Sequence, residues 1–140
     1  LSKAFQNLSK SKQLGIKQAN YPLAMMYFKG EGTTKNLTQA FKIMETLPSE
    51  YDNEIGYIMG KAYQSGDGIT VDYKKALEFY IKSAKAENPE ACRAIANIYE
   101  KGLGVKKSLK QAKAWTNKAN DIENPKPKSI VKKKSTKKKK

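Results

Sequence analysis

The sequence contains no histidine and only one cysteine, Cys92, among its 140 residues. A single cysteine cannot form a disulfide within the chain, and the imidazole that most often serves as a zinc or haem ligand or as a general acid or base is missing. No apolar run approaches the roughly 18 residues of a membrane-spanning helix. These absences exclude a transmembrane helix and most metal-dependent or hydrolytic chemistry.

Acidic residues are also few: 13 aspartates and glutamates stand against 28 lysines and arginines, which gives a net charge of +15. They are scattered, and no two have a spacing that suggests a catalytic pair. We therefore predict a non-catalytic protein with no cofactor and no metal site. The length fits about one domain. Because the sequence begins at Leu1 and not at Met, we expect that a leader was removed or that the chain was cut from a longer protein.

The excess of positive charge is concentrated near the C-terminus. Nine lysines lie between Lys126 and Lys140, where no acidic residue occurs, and positions 1–124 carry 19 basic and 13 acidic residues, a surplus of only +6. Pro125 and Pro127 interrupt any helix, and little apolar surface follows. We predict that residues 124–140 form a disordered basic tail. Its lysine clusters are Lys132, Lys133, Lys134, Lys137, Lys138, Lys139 and Lys140.

Three roles are open to this tail: attraction to nucleic acid, attraction to an acidic lipid or polymer, and a solubilising or targeting extension without a fixed ligand. The tail contains no arginine for bidentate contacts and no aromatic residue for stacking. Any binding to nucleic acid would therefore be independent of sequence and steeply salt-dependent.

A repeat of 36 residues runs through the rest of the chain. Its clearest marker is a Gly-x-Gly triplet, found at Gly30–Gly32, Gly66–Gly68 and Gly102–Gly104. The same offset aligns Tyr27, Tyr63 and Tyr99, and also Ala4, Ala40, Ala76 and Ala112. Because the triplets recur in constant register between predicted helices, we interpret them as turns and not as phosphate-binding loops. We predict that the aligned aromatic residues belong to the core; they are Tyr27, Tyr63, Tyr99, Phe79 and Trp115.

Each unit has the apolar spacing of two helices. The first helix ends at the first glycine of the triplet, which suits the left-handed C′ position, and the second begins at a capping side chain. The capping column contains Asn36, Asp72 and Ser108. Asn88-Pro89 is a start signal for a first helix, and Asp52-Asn53 occupies the equivalent place one period earlier. Pro22 falls inside a predicted first helix, which therefore starts near Asn20 or kinks there.

The last unit has the most specific motif, Ala91-x-x-x-Ile95-Ala96-x-x-Tyr99-x-x-Gly102-x-Gly104-Val105 followed by Gln111-Ala112-x-x-Trp115-x-x-Lys118-Ala119. This motif resembles the Sel1-like repeat, a relative of the tetratricopeptide repeat. The second unit is similar to it as well, and the first is a weaker copy in which Pro48 ends the second helix early. Lys3-Ala4-Phe5, Lys10 and Gly15 are similar to the closing half of a further copy.

The resemblance implies an all-α, right-handed superhelical solenoid of antiparallel helix pairs. We divide the chain into a half-repeat at 1–15, repeats at 16–51, 52–87 and 88–123, and the tail at 124–140. The resemblance also implies an adaptor in multiprotein assemblies, often bacterial and often periplasmic or secreted, with a cytoplasmic location as the alternative. The open edge of the half-repeat adds the expectation of an end-to-end homodimer.

By similarity to tetratricopeptide arrays, the first helices would line a concave surface. Residues in three columns of the repeat would point toward this surface. The columns are Tyr21, Tyr57 and Arg93; Met25, Lys61 and Asn97; and Phe28, Gln64 and Glu100. Tyr21, Met25 and Phe28 share one helix face, so we predict an exposed apolar strip and a binding groove. The alternative is that the half-repeat or a kink at Pro22 covers this strip.

We predict that the protein binds a partner protein or peptide on this concave face. The alternative function is binding of nucleic acid or an anionic surface through the basic tail, with the repeats as a display scaffold. Cys92 is expected to be buried and unreactive, because no histidine or metal is present to lower the pKa of its thiol.

Overall fold

The computed structural model describes residues 2–15 and 17–125, and within these ranges it contains seven α-helices and no β-strand. The helices are α1 (Lys3–Gln13), α2 (Asn20–Lys29), α3 (Leu37–Met44), α4 (Asp52–Ser65), α5 (Tyr73–Lys85), α6 (Pro89–Lys101) and α7 (Leu109–Glu123). Short 3₁₀ turns at Lys17–Ala19 and Ser49–Tyr51 precede α2 and α4. The predicted disordered tail comprises residues 124–140, of which 126–140 lie outside the described ranges.

The helices pack as three pairs, α2 with α3, α4 with α5 and α6 with α7, and α1 packs ahead of the first pair against α2. α5 also packs against α6, so that neighbouring pairs share a continuous core. The predicted all-α array of helix pairs is confirmed.

The three Gly-x-Gly turns have the same geometry. The first glycine caps its helix in the left-handed region, with φ between 70° and 76° at Gly30, Gly66 and Gly102. The backbone amides of Asn36, Asp72 and Ser108 donate to the carbonyls of Tyr27, Tyr63 and Tyr99 over 2.8, 3.0 and 2.9 Å. The side chains of the same three residues cap the second helices by accepting from the backbone amides of Gln39, Lys75 and Gln111. The predicted caps and left-handed glycines are confirmed.

The second glycine of each triplet joins neighbouring repeats. A Cβ atom built on Gly68 would lie 2.6 Å from the Cβ of Leu37, the first residue of α3 in the preceding pair. A Cβ atom on Gly104 would lie 2.6 Å from the Cβ of Tyr73, the first residue of α5. The absence of a side chain therefore lets each turn contact the start of the second helix one repeat earlier. This contact between repeats is not evident from the sequence period.

Several columns of the repeat are buried in every helix pair. Leu23, Met59 and Ile95 are buried, and so are the alanines at positions 40, 76 and 112. Tyr63 is buried as predicted, but Tyr27, Tyr99, Phe79 and Trp115 are only half-buried and pack against the edge of the core.

Ala4 is exposed, although the 36-residue offset aligns it with the buried alanines at 40, 76 and 112. The cap of α1 is Ser2, whose hydroxyl accepts from the amide of Phe5. Phe5, which aligns with Phe41 at the 36-residue offset, is buried as Phe41 is.

The structure shows where the helices next to Pro22 and Pro48 begin and end, and which predicted start signals act as caps. α2 begins at Asn20, which places Pro22 in the first turn, where its amide would have no intrahelical acceptor. α3 ends at Met44, four residues before Pro48. Asn88 caps α6 as predicted. Asp52 does not cap α4: the N-cap is Tyr51, which makes no side-chain cap bond, and Asp52 lies within the first turn.

The outer side of α7 differs from the equivalent side of α5. Leu77, Tyr80, Ile81 and Ala84 of α5 are buried or half-buried. One period later, α7 carries the exposed polar residues Lys113, Thr116, Asn117 and Asn120. Leu109 occupies the column of Leu37 and Tyr73, but it is 65% exposed, because no glycine turn packs on it within the described residues.

Candidate binding groove

Two adjoining cavities lie on the side of the array formed by the first helices. The first has a volume of about 330 Å³ and is lined by Phe28, Phe41, Tyr57, Ile58, Lys61, Ala62, Ser65 and Asp67. The second has a volume of about 470 Å³ and is lined by Tyr57, Lys61, Gln64, Ser65, Tyr80, Ala94 and Asn97. We call the two cavities together the groove. Five of the nine predicted face residues line it: Phe28, Tyr57, Lys61, Gln64 and Asn97.

Aromatic and aliphatic side chains form most of the first cavity. Phe41 of α3 is buried, and its ring centroid lies 6.3 Å from that of Phe28 on α2. Tyr57 and Ile58 of α4 complete the lining and are half-buried. Repeats one and two therefore form this cavity jointly, with an apolar interior suited to a side chain without charge.

The second cavity contains an ordered aromatic and amide cluster. The ring of Tyr80 is almost fully buried, its hydroxyl donates to Oε1 of Gln64 over 2.8 Å, and its ring centroid lies 5.9 Å from that of Tyr57. Burial raises the pKa of Tyr80, so the hydroxyl remains a neutral donor. The amide nitrogen of Gln64 and the side chain of Asn97 make no hydrogen bond within the described part of the chain. These amides are therefore available to a ligand's peptide groups.

Lys61 stands between the two cavities. Its side chain is exposed, and its Nζ atom lies 5.4 Å from the ring centroid of Tyr57. Among residues 2–15 and 17–125, Lys61 makes no ion pair. The second cavity has no other charged side chain in its lining, whereas the first also has Asp67.

Arg93, the other predicted cation of the face, does not line the groove. Its guanidinium pairs with Glu123 on α7 and, over 3.4 Å, with Glu90 on its own helix. The hydrogen bond between Arg93 and Glu123 raises the pKa of Arg93 and lowers the pKa of Glu123. Arg93 therefore joins α6 to α7 and is not free for a ligand.

The predicted exposed strip of Tyr21, Met25 and Phe28 is wrong, because all three side chains are half-buried. Tyr21 stacks on Tyr51 with ring centroids 4.6 Å apart and donates its hydroxyl to Glu54 over 2.6 Å. The bond to Glu54 raises the pKa of Tyr21 to about 12. Only Phe28 of this strip reaches the groove. Glu100 is exposed and lines neither cavity.

Sequence reasoning missed Phe41 and Tyr80, which reach the groove from second helices. The prediction assigned the face to first helices alone, so these two residues were not considered. It also missed Ile58, Ala62, Ser65, Asp67 and Ala94. Ile58 and Ala94 share one column of the 36-residue repeat, and that column is the signal that could have found them.

Neither a cluster of metal ligands nor a membrane-spanning helix is found among the described residues. No group of three or more cysteine, aspartate or glutamate side chains is placed to hold a metal ion there. None of the described helices is long and apolar enough to cross a membrane. Cys92 is fully buried in α6, and burial raises the pKa of its thiol.

We expect Cys92 to resist thiol reagents in the native protein. The buried thiol is both inaccessible and protonated near pH 8, so a chromogenic disulfide should react on the order of 100-fold more slowly than in urea-unfolded chain. Absorbance of the released thiolate measures both rates. Rapid and complete reaction of the folded protein would contradict the burial of this residue.

Helix pairs are stacked in a constant register, with a glycine turn inside each pair and a groove along the first helices. This arrangement defines a helical repeat protein of the solenoid class. The Sel1 repeat model matches residues 17–46, 57–88 and 89–121, which is more than half of the chain. The chain belongs to the Sel1 repeat family. Proteins of this family are generally non-catalytic scaffolds for protein interaction.

Two solved structures have a similar fold. A protective antigen of uropathogenic Escherichia coli with an SLR fold is 29% identical, with a TM-score of 0.71 over 84% of this chain. A Sel1 repeat protein from Oxalobacter formigenes is 24% identical, with a TM-score of 0.71 over 84% of this chain. The matched regions span 25% and 48% of those two proteins. No curated protein matches the sequence.

Proposed function

We propose that this protein is a non-catalytic adaptor that holds a segment of a partner protein in the groove. The observation that carries the proposal is the pair of adjoining cavities, which run across three first helices and share Tyr57, Lys61 and Ser65. Partners of repeat proteins bind along extended surfaces of this kind. The family's general role in protein interaction supports the same function.

The groove combines features that binding sites for proteins share. Aromatic side chains dominate interaction hot spots, and Phe28, Tyr57 and Tyr80 lie in or beside the two cavities. A few polar groups surround this apolar centre, notably Lys61 and the amides of Gln64 and Asn97. This arrangement offers an apolar anchor point together with donors and acceptors that fix the orientation of a ligand.

Two variants test the groove directly. We expect Phe28→Ala and Tyr57→Ala each to weaken binding of a partner by about 30-fold, because truncation of an aromatic hot spot costs about 2 kcal/mol. The partner is first captured from the host with the wild-type chain and identified by mass spectrometry. Its dissociation constant is then measured with purified proteins by isothermal titration calorimetry.

Leu109→Ala is the matched control, because it removes an apolar side chain that is 65% exposed and lies outside the groove. The control should bind as wild type, and circular dichroism should show that all three variants remain helical. Wild-type affinity of both groove variants would overturn the proposal. Loss of binding only when residues 124–140 are removed would assign the interaction to the tail.

A further inference from the structure

We propose that the segment held in the groove is an extended peptide that combines a bulky apolar side chain, placed in the first cavity, with a carboxylate bound to Lys61. This inference rests on the proposed function and names the chemistry of the partner. It follows from the different linings of the two cavities and from the position of Lys61 between them.

The first cavity selects for an apolar side chain. Its volume of about 330 Å³ is at the lower end of the roughly 300–1,000 Å³ typical of ligand pockets, so it suits one large side chain. Phe41 is buried behind Phe28, and Tyr57 and Ile58 line the same space. The charged residues of this cavity, Lys61 and Asp67, are both exposed to solvent. A phenylalanine or leucine of the partner would therefore contact carbon atoms on most sides.

The second cavity selects for negative charge. Lys61 is the one charged residue in its lining, and the remaining polar groups are neutral. The ammonium group of Lys61 lies over the ring of Tyr57 and makes no ion pair with any described residue, so it can accept a carboxylate without losing an existing partner. The neighbouring Arg93 cannot replace it, because Glu90 and Glu123 already occupy its guanidinium.

The amides beside Lys61 suit the backbone of an extended chain. Gln64 is held by the hydroxyl of Tyr80, and Asn97 stands on the next first helix. An amide side chain offers both a donor and an acceptor, which is the complement of a peptide group. In an extended peptide, side chains two positions apart point to the same side at a separation of about 7 Å. The apolar and acidic residues are therefore expected at positions i and i±2.

Labelled ten-residue peptides test this chemistry on the full chain by fluorescence anisotropy. The parent peptide carries phenylalanine at its centre and aspartate two positions away on each side. In one series the aspartates become asparagine or lysine, and in another the phenylalanine becomes serine. We expect the parent to bind about tenfold more tightly than each of these peptides. The serine peptide retains the full negative charge, so it measures the charge attraction to Lys61 and to the lysine tail together, without the apolar anchor.

Variants of Lys61 then test whether the aspartate carboxylate of the peptide binds this lysine. Lys61→Gln should remove the preference for aspartate over asparagine and keep the preference for phenylalanine over serine. Lys61→Glu should make the lysine peptide the tighter ligand. Lys101→Gln, which removes an exposed lysine of α6 that lines neither cavity, should behave as wild type. An aspartate preference that is as large in Lys61→Gln as in the wild-type chain would overturn the inference.

The outcomes separate this inference from the proposed function. A phenylalanine preference that depends on Phe28 but shows no role for Lys61 would leave the groove as a binding site and refute the acidic partner. No phenylalanine preference, together with unchanged binding by the Phe28→Ala and Tyr57→Ala variants, would refute both.

Discussion

Replacing Gly68 by alanine should lower the free energy of unfolding by about 3 kcal/mol. Two costs add at this position. Its φ of 76° lies in the left-handed region, where an L side chain costs roughly 1–2 kcal/mol. The new Cβ atom would also lie 2.6 Å from the Cβ and 2.8 Å from the Cδ1 of Leu37, and overpacking of this kind costs about 1–3 kcal/mol. Because the contact joins two repeats, the loss should uncouple the first pair from the second.

Gly15 supplies the control for backbone strain alone. Its φ is 81°, and no described atom lies within 4 Å of the position that a Cβ would occupy. Gly15→Ala should therefore cost only about 1 kcal/mol. Urea denaturation followed by circular dichroism measures both variants, and Gly104→Ala, which meets Tyr73, should resemble Gly68→Ala. Equal losses for Gly15 and Gly68 would show that the contact between repeats adds nothing to stability.

Gly60→Ala should destabilise the protein by about 2 kcal/mol, although alanine is favoured over glycine inside a helix by about 1 kcal/mol. The added Cβ atom would lie 2.5–2.8 Å from three ring carbons of Tyr80. The ring cannot move aside easily, because its hydroxyl is bonded to Gln64 and its face packs near Tyr57. The steric conflict therefore outweighs the gain in helix propensity.

The other repeats suggest a rescue. In the columns of Gly60 and Tyr80, the first repeat has Ala24 and Met44, and the third has Ala96 and Thr116. We expect Gly60→Ala to be neutral or stabilising once Tyr80→Met is present, with a coupling energy of about 2 kcal/mol in a double-mutant cycle. Thermal and urea unfolding of the four proteins measures it. Additive effects of the two substitutions would contradict a direct conflict between residue 60 and the ring.

The 36-residue period predicts the fold well because equivalent residues of each repeat make equivalent packing contacts. Leu23, Met59 and Ile95 are buried in one column, and three caps recur at 36-residue intervals. Alignment alone does not ensure burial, because Ala4 aligns with the buried alanines at 40, 76 and 112 and is exposed. The period also overstates burial at Trp115 and Tyr99, which lie at the edge of the core.

The groove is harder to predict, because contacts distant in sequence decide which side chains remain available. Arg93 lies in a column of the predicted binding face and carries a charge that could contact a ligand. Glu123, thirty residues later in the sequence, accepts hydrogen bonds from its guanidinium instead. Tyr21 is likewise occupied by Glu54. Phe41 and Tyr80 enter the groove from the second helices, and a helical period alone does not show how far a long side chain reaches.

The outer side of α7 bears on how copies of this protein meet. A further helix pair, or a second copy stacked there, would have to dehydrate Lys113, Thr116, Asn117 and Asn120 with little apolar area gained in return. α5 uses apolar and aromatic residues at the same four columns to adhere to α6. The hydrated polar side of α7 therefore disfavours the stacking of copies into filaments, to which proteins built from self-complementary repeats are prone.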